Sequence, residues 1–345
     1  MKAVVITGVE SVEVANVEDP ELRHAADAIV QVERMAICGS DLHPYRGEWG
    51  DPTGQRPGHE VIGTIIEVGA EVRLRKVGER VLVSGAIGCG SCSLCDVGLA
   101  SRCSDFSVLG IPMFGTYPGG QAECVTVPQA DGNLLPIPEG VSPERALLLT
   151  DVLSTGWLGA QRAGVSEGHS VAVVGFGPVG MCAAVSSRAL GAWDVFVLDP
   201  LPSRRAFAEE LGFKAFDPRA AETIESVRTL SSGGVDAAIE AAGRNASMEA
   251  AIAVTHGRGT VSVVSAPSEA IAEDLPHRLA ETQRMLSTTA SPQRAWPQLL
   301  PRLEEPAFRG VDRIFSHRLS IDDAAAAYEL FSSRPDECRK IQLDP

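Results

Sequence analysis

SVAVVGFGPVGMCAAVSSRALGAWDVFVLD, residues 170–199, is the stretch on which the fold turns. Val171 to Val174 form an apolar run of strand length, Gly175, Gly177 and Gly180 interrupt it, and a helical pattern follows. DVFVLD then supplies a second strand that ends in Asp199, about 20 residues past the glycines. The glycines permit a tight turn and close backbone approach to a pyrophosphate, whose charge the free N–H groups and dipole of the helix N-terminus stabilise. Lying between strand and helix, with an acid closing the next strand, the pattern is a dinucleotide fingerprint and not an ordinary glycine turn. GVDAAIEAAG and GTVSVVSA continue the alternation, which predicts a doubly wound parallel sheet. Asp199 suits both adenosine-ribose hydroxyls and repels a 2′-phosphate, favouring NAD, while Arg204 and Arg205 close behind it keep NADP or dual use open.

Upstream the pattern changes. Residues 1–33 alternate apolar and polar between turn clusters, as short strands do, and glycines among Val and Ile runs such as VIGTIIEVG and GERVLV predict a small, tightly turned barrel. Between these strands, ICGSDLHPYRGEWGDPTGQRPGHE (residues 37–60) carries a thiol, two imidazoles, hydroxyls that include Ser40, and several carboxylates on loops. Cys38 and His59 are of the types that bind zinc, but a catalytic zinc takes three protein ligands and leaves a position open. Asp151, in LLLTDVLSTGWLGA, lies in an apolar helical pattern running from Pro143 through Gly164. A helix cap, a paired core aspartate and a metal ligand would each account for it. Cys89, Cys92, Cys95 and Cys103, crowded into CGSCSLCDVGLASRC, can close a tetrahedron around one zinc without further ligands, which predicts a saturated, structural site.

Composition sets the limits. The 345 residues suffice for two domains with cores, at 44% hydrophobic content, and the formal charge of −15 argues against nucleic acid and anionic membranes as partners. No basic segment followed by an apolar run opens the chain, and no apolar run approaches membrane-span length. The expectation is a soluble, cytoplasmic protein, in which crowded cysteines signify metal rather than disulfides.

These pieces together resemble the zinc-dependent medium-chain alcohol dehydrogenases: ICGSDLH, GHE, the four-cysteine lobe, TDVLSTG and GFGPVG occur in family order and at family spacing, from the first strand to the closing KIQL. The resemblance implies a GroES-like β-rich catalytic domain (residues 1–152 and 292–345) around a Rossmann domain (153–291). It implies Cys38, His59 and Asp151 as catalytic zinc ligands, Glu60 beside the zinc as a further, transient ligand, and Asp41 as the acid that orients His59. Hydride would pass between the carbinol carbon and the nicotinamide, and the proton would leave through Ser40 and His43. It further implies a cofactor site of Gly175, Gly177, Pro178, Val179, Gly180, Asp199, Arg204, Ala242 and Ser265. Trp49, Ile87 and Ile111 would line the alcohol pocket and, being apolar, favour an uncharged substrate. Two zincs per subunit and a homodimer or homotetramer are implied as well. The substrate implied is a primary or secondary alcohol, or the aldehyde or ketone in reverse; a polyol or formaldehyde-type dehydrogenase is the near alternative, and an inactive zinc- and nucleotide-binding protein the distant one. Two stretches depart from the family pattern: residues 266–291 are less apolar and glycine-rich than the segment expected there, and Pro297 and Pro301 are expected to break a helical pattern.

Overall fold

Alternating side chains pair β1 (Lys2–Gly8) with β2 (Ser11–Asn16) antiparallel, from Lys2 opposite Asn16 to Gly8 opposite Ser11. The computed structural model describes residues 1–279, 283–287 and 291–345. The chain continues through β3 (Ala28–Ala36), β4 (Glu60–Val68), β5 (Arg80–Val83), β6 (Ala86–Ile87), β7 (Ser107–Val108), β8 (Cys124–Val127) and β9 (Leu134–Pro136). Helix α1 (Pro143–Leu149) starts at a Ser142 cap that accepts the Arg145 N–H, with proline at its first position, and α2 (Val152–Arg162) follows.

The helical pattern expected without interruption from Pro143 is therefore broken at Thr150 and Asp151. The Thr150 hydroxyl donates to the Leu147 carbonyl, and the Leu149 carbonyl accepts from the Ser154 hydroxyl and the Trp296 indole. These side chains take carbonyls that the helical ladder would otherwise use.

Next come β10 (Ser170–Val174), α3 (Pro178–Ala189), β11 (Asp194–Leu198), α4 (Pro202–Glu210), β12 (Lys214–Phe216), α5 (Thr223–Leu230), β13 (Val235–Glu240), α6 (Asn245–Val254), β14 (Thr255–Val263) and β15 (Arg284–Ser287). The strands form one parallel sheet in the order β12-β11-β10-β13-β14-β15, the doubly wound order with its switch point between β10 and β13. Its core gathers Ala172, Val174, Phe196, Leu198, Ala238 and Val261 with the buried faces of the flanking helices. The divergent 266–291 segment supplies β15, and within it Gln283 donates to the carbonyls of Ile252 and Thr255. Residues 280–282 and 288–290 of that segment lie outside the described residues.

The chain ends with α7 (Pro292–Leu299), β16 (Phe315–Ser320), α8 (Ala324–Ser333) and β17 (Lys340–Asp344). Pro297 does not break α7 but lies inside it. The hydrogen bond lost at the proline is outweighed by anchors on either side: Trp296 to Leu149, and Gln293 to the Ala86 carbonyl and the Asn133 side chain. A seven-stranded sheet runs β16-β17-β3-β4-β5-β9, with β8 also on β3, over a core that includes Val30, Met35, Val61, Ile65, Val81 and Tyr328.

Two units result: Met1–Ser154, Ser291–Pro301 and Phe315–Pro345 in the first, Thr155–Ala290 and Arg302–Ile314 in the second. Residues 302–314 thus cluster with the parallel-sheet unit rather than with the catalytic domain given to 292–345 from sequence. Arg302 donates to the Ala189 carbonyl and lies 5.0 Å over the Trp157 ring, and Arg188 donates to the Ala307 carbonyl. Among the described residues, no helix is long and apolar enough to cross a membrane.

Candidate active site

Cys38, His59, Glu60 and Asp151 come together within the first unit, each offering one donor atom within 4.8 Å of the others. The end of β3, the start of β4 and the α1–α2 break deliver them. Cys38 Sγ lies 3.3 Å from Asp151 Oδ2, and His59 Nε2 lies 3.6 Å from the same oxygen. A zinc with bonds of about 2.0–2.3 Å spaces its tetrahedral donors roughly 3.3–3.8 Å apart, so this set fits a zinc ion. Electrostatics agree with the spacing. Burial and then the Asp151 carboxylate push the Cys38 thiol up to about 11, and a cation at the centre would reverse that repulsion.

The outer contacts are as ordered as the donors. Fully buried Asp41 accepts the Cys38 N–H and the Gln121 amide, and its other oxygen stands 3.2 Å from His59 Nδ1. Gln121 in turn accepts from the buried Tyr328 hydroxyl. With Nδ1 turned to a carboxylate, Nε2 faces the donor cluster. Burial works against a charged His59, yet Asp41 and Cys38 hold its pKa well above the ordinary value.

Glu60 has a partner that sequence reasoning did not single out. Its Oε1 lies 2.7 Å from Lys340 Nζ on β17, both side chains are wholly inaccessible, and Oε2 is buried without a hydrogen bond among the described residues. The only sequence signal was a lysine opening the KIQL strand, whose Ile341 and Leu343 are core residues.

Ser40 Oγ lies 3.2 Å from Cys38 Sγ and 3.1 Å from His59 Nε2. The structure does not bond it to His43. That imidazole instead uses Nδ1 at 2.5 Å from Glu48 Oε2 and stacks on Trp49, ring centroids 4.5 Å apart. Of the expected pocket residues, Trp49 is thus tied to His43, Ile87 belongs to the core of the first unit, and Ile111 is buried ahead of residues 112–114.

The four lobe cysteines carry no disulfide and also lie within 4.8 Å of one another. Cys92 and Cys103 sulfurs are 3.9 Å apart, near the edge length of a zinc–thiolate tetrahedron, and Cys103 Sγ accepts the N–H groups of Cys89 and Asp105. Ser91 lowers Cys89 to about 6 through hydrogen bonds from its backbone and hydroxyl, while burial raises Cys95 to about 12.

In the second unit, Gly175 turns with φ +93°, and a Cβ there would come 2.8 Å from the Ala242 Cβ across the switch point. A Cβ on Gly180 would strike the Gly175 carbonyl, whereas one on Gly177 would approach only Arg204 at 3.6 Å, which leaves this backbone open to a phosphate. Asp199 accepts the N–H groups of Phe176 and Leu201, with Arg204 3.7 Å away. Buried Glu240, the acid that closes β13, was passed over in the sequence. It takes the N–H groups of Ala242 and Gly243 and the hydroxyls of Ser247 and Ser265, so it sets the loops of two expected cofactor residues.

Comparison with known proteins bears on what this arrangement does. Residues 24–139 match the family model for the alcohol dehydrogenase GroES-like domain, and residues 178–305 the one for zinc-binding dehydrogenases. A Mycobacterium tuberculosis protein named "Probable zinc-binding alcohol dehydrogenase Rv1895" is 40% identical over all of this chain and 89% of its own length. The solved alcohol dehydrogenase TADH from Thermus sp. ATN1 superposes with a TM-score of 0.90 at 34% identity, covering 100% and 99% of the two chains. A Sinorhizobium meliloti 1021 protein solved bound to NADP superposes at 0.82 with 28% identity, covering 100% of this chain and 99% of its own.

Proposed function

This chain belongs to the zinc-dependent medium-chain alcohol dehydrogenases, and on that premise we propose that Cys38, His59 and Asp151 would hold its catalytic zinc, with Glu60 beside it. The protein is a zinc-dependent oxidoreductase that acts on an alcohol or the corresponding carbonyl compound. The observation that carries the site assignment is the 3.3–3.6 Å spacing of thiol, imidazole and carboxylate oxygen about one centre. Zinc in that centre supplies Lewis-acid polarisation of the substrate oxygen, and a nicotinamide cofactor supplies the hydride acceptor or donor.

The chain's own residues do the rest. Asp41 holds the His59 ring in orientation, and the Ser40 hydroxyl sits against two ligands, where it can take a proton from the substrate. His43, steadied by Glu48 and Trp49, passes the proton on. Because Ser40 and His43 are not bonded to each other, the route needs a bridging water or hydroxyl. His43→Ala should reduce turnover about 10²-fold. An unchanged rate and pH profile would remove His43 from the route.

Cys89, Cys92, Cys95 and Cys103 would hold a second, structural zinc. The cofactor reading is NAD in preference to NADP, supported by the Asp199 carboxylate at the end of β11. Asp199→Asn should lower the NAD-to-NADP ratio of kcat/KM about tenfold or more, since a charge-assisted hydrogen bond is lost and the repulsion of a 2′-phosphate removed. A wild-type preference for NADP, or a ratio the change does not move, would overturn it. Trp49, Ile87 and Ile111 are proposed to border the substrate, and secondary alcohols, polyols and formaldehyde assayed side by side identify its class. A cytoplasmic homo-oligomer completes the proposal; a monomer by light scattering at working concentration would refute the assembly.

A further inference from the structure

Two arginines of the first unit, Arg23 and Arg56, border the same loop, residues 110–119, and among the described residues neither has a carboxylate partner. Arg56, half-buried and three residues ahead of His59, makes no side-chain hydrogen bond or ion pair among the described residues. Arg23 lies 5.1 Å over the Tyr117 ring, and its one polar contact among the described residues is a 3.4 Å donation to the Thr116 carbonyl. The two arginines feel each other: burial and then Arg23 push Arg56 below arginine's ordinary value. The carboxylate that bears on Tyr117, Asp27, is fully buried and already accepts the N–H groups of His24 and Gln129.

The backbone beneath these side chains is held by hydrogen bonds between the loops. Gly119 donates to the Arg56 carbonyl at 2.8 Å, Gln121 to that of Pro57 at 3.1 Å, and Gly110 to that of Tyr117 at 3.0 Å. A Cβ on Gly119 would stand 2.1 Å from the Pro57 oxygen, so the 110–119 loop is seated directly on residues 56 and 57.

Holding a half-buried cation beside a like charge is unfavourable unless something compensates it. Carboxylates are not scarce in this chain, which has 45 acidic against 30 basic residues, yet among the described residues none pairs with Arg56 or Arg23. Planar guanidiniums present forked donors that match carboxylate and phosphate oxygens, and a phenol adds one more. We propose that Arg56, Arg23 and Tyr117 form a binding site for a small oxyanion, a carboxylate or a phosphate group. The anion is either free or the distal end of the substrate, because the same two loops carry His59 and Ile111. The second case rests on the dehydrogenase reading and qualifies the expectation of an uncharged substrate; the first does not depend on it.

The experiment is a series of thermal melts of the zinc-loaded protein in rising inorganic phosphate, with chloride adjusted to constant ionic strength. The wild type should show a saturable rise in unfolding midpoint. Arg56→Met and Arg23→Met should weaken the apparent phosphate affinity at least tenfold, and Arg56→Lys should weaken it less. Phosphate held at the glycine loop is common to all four proteins and cancels. Without phosphate, Arg56→Met should melt no lower than wild type, because an unpaired half-buried charge is gone. A midpoint insensitive to phosphate, or the same affinity in all variants, would overturn the site. Rates with a hydroxy acid and its uncharged counterpart separate the two sources. A KM that rises tenfold in Arg56→Met for the acid alone assigns the site to the substrate, and loss of the phosphate response without that rise assigns it to a free ion.

Discussion

Asp151→Ala should lower the zinc content from two per chain to one and abolish turnover. Loss of an outer-shell partner typically costs 10–100-fold in metal affinity or activity, and removal of a direct ligand should exceed that. Asp151 Oδ2 is the donor shared by the 3.3 Å and 3.6 Å contacts to Cys38 and His59, so its removal opens the set on two sides. The remaining zinc should stay with the four-cysteine lobe, whose donors come from residues 89–103. Metal analysis of wild type and variant, with NAD and NADP reduction by an alcohol panel on the same samples, reads both effects. One zinc in wild type, unaffected by the substitution and without turnover, would leave a zinc-stabilised nucleotide-binding protein.

Lys340→Met should destabilise the zinc-loaded protein by about 3–5 kcal/mol in denaturant unfolding, the usual result of removing one partner of a buried ion pair. Lys340 and Glu60 are both wholly inaccessible and 2.7 Å apart. Burial, the largest influence on the lysine, lowers its pKa, yet Glu60 and Cys38 hold it above the ordinary value, so it stays charged in place. The methionine would fill much of the space and leave Glu60 a lone buried carboxylate. Glu60→Gln combined with Lys340→Met should recover part of the loss, as the charge left behind is removed. Equal stability of Lys340→Met and wild type would mean that Glu60 does not depend on the lysine, and that zinc or solvent compensates it.

Features whose parts are neighbours along the chain were legible before any coordinates. The glycine turn, its flanking strands and Asp199 lie within residues 170–199, and local periodicity and backbone freedom suffice to define them; a doubly wound parallel sheet then follows from helix–strand alternation, whereas the order β12-β11-β10-β13-β14-β15 is seen only in the structure, because alternation is common to more than one doubly wound order. The four lobe cysteines were legible for the same reason, since residues 89–103 close on one another through a short loop.

Asp151 stood between cases. Its residue type fitted a cap, a core pair or a ligand, and only resemblance to a family favoured the last. The break between α1 and α2, which turns it toward Cys38 over a separation of 113 residues, depends on hydroxyls and an indole taking helix carbonyls. Likewise, nothing local to KIQL said that its lysine would meet Glu60, 280 residues away. Glu48 beneath His43 and the isolation of Arg56 were equally silent. The sequence by itself therefore determined the two-part fold and the cofactor and cysteine loops, whose forces act over a few turns of chain. Tertiary structure alone decided which buried charges are compensated and which are not. Partners are chosen by strand neighbours, here β17 beside β3 and β3 beside β4, and a charge buried among them must be answered by whatever group that register brings within reach.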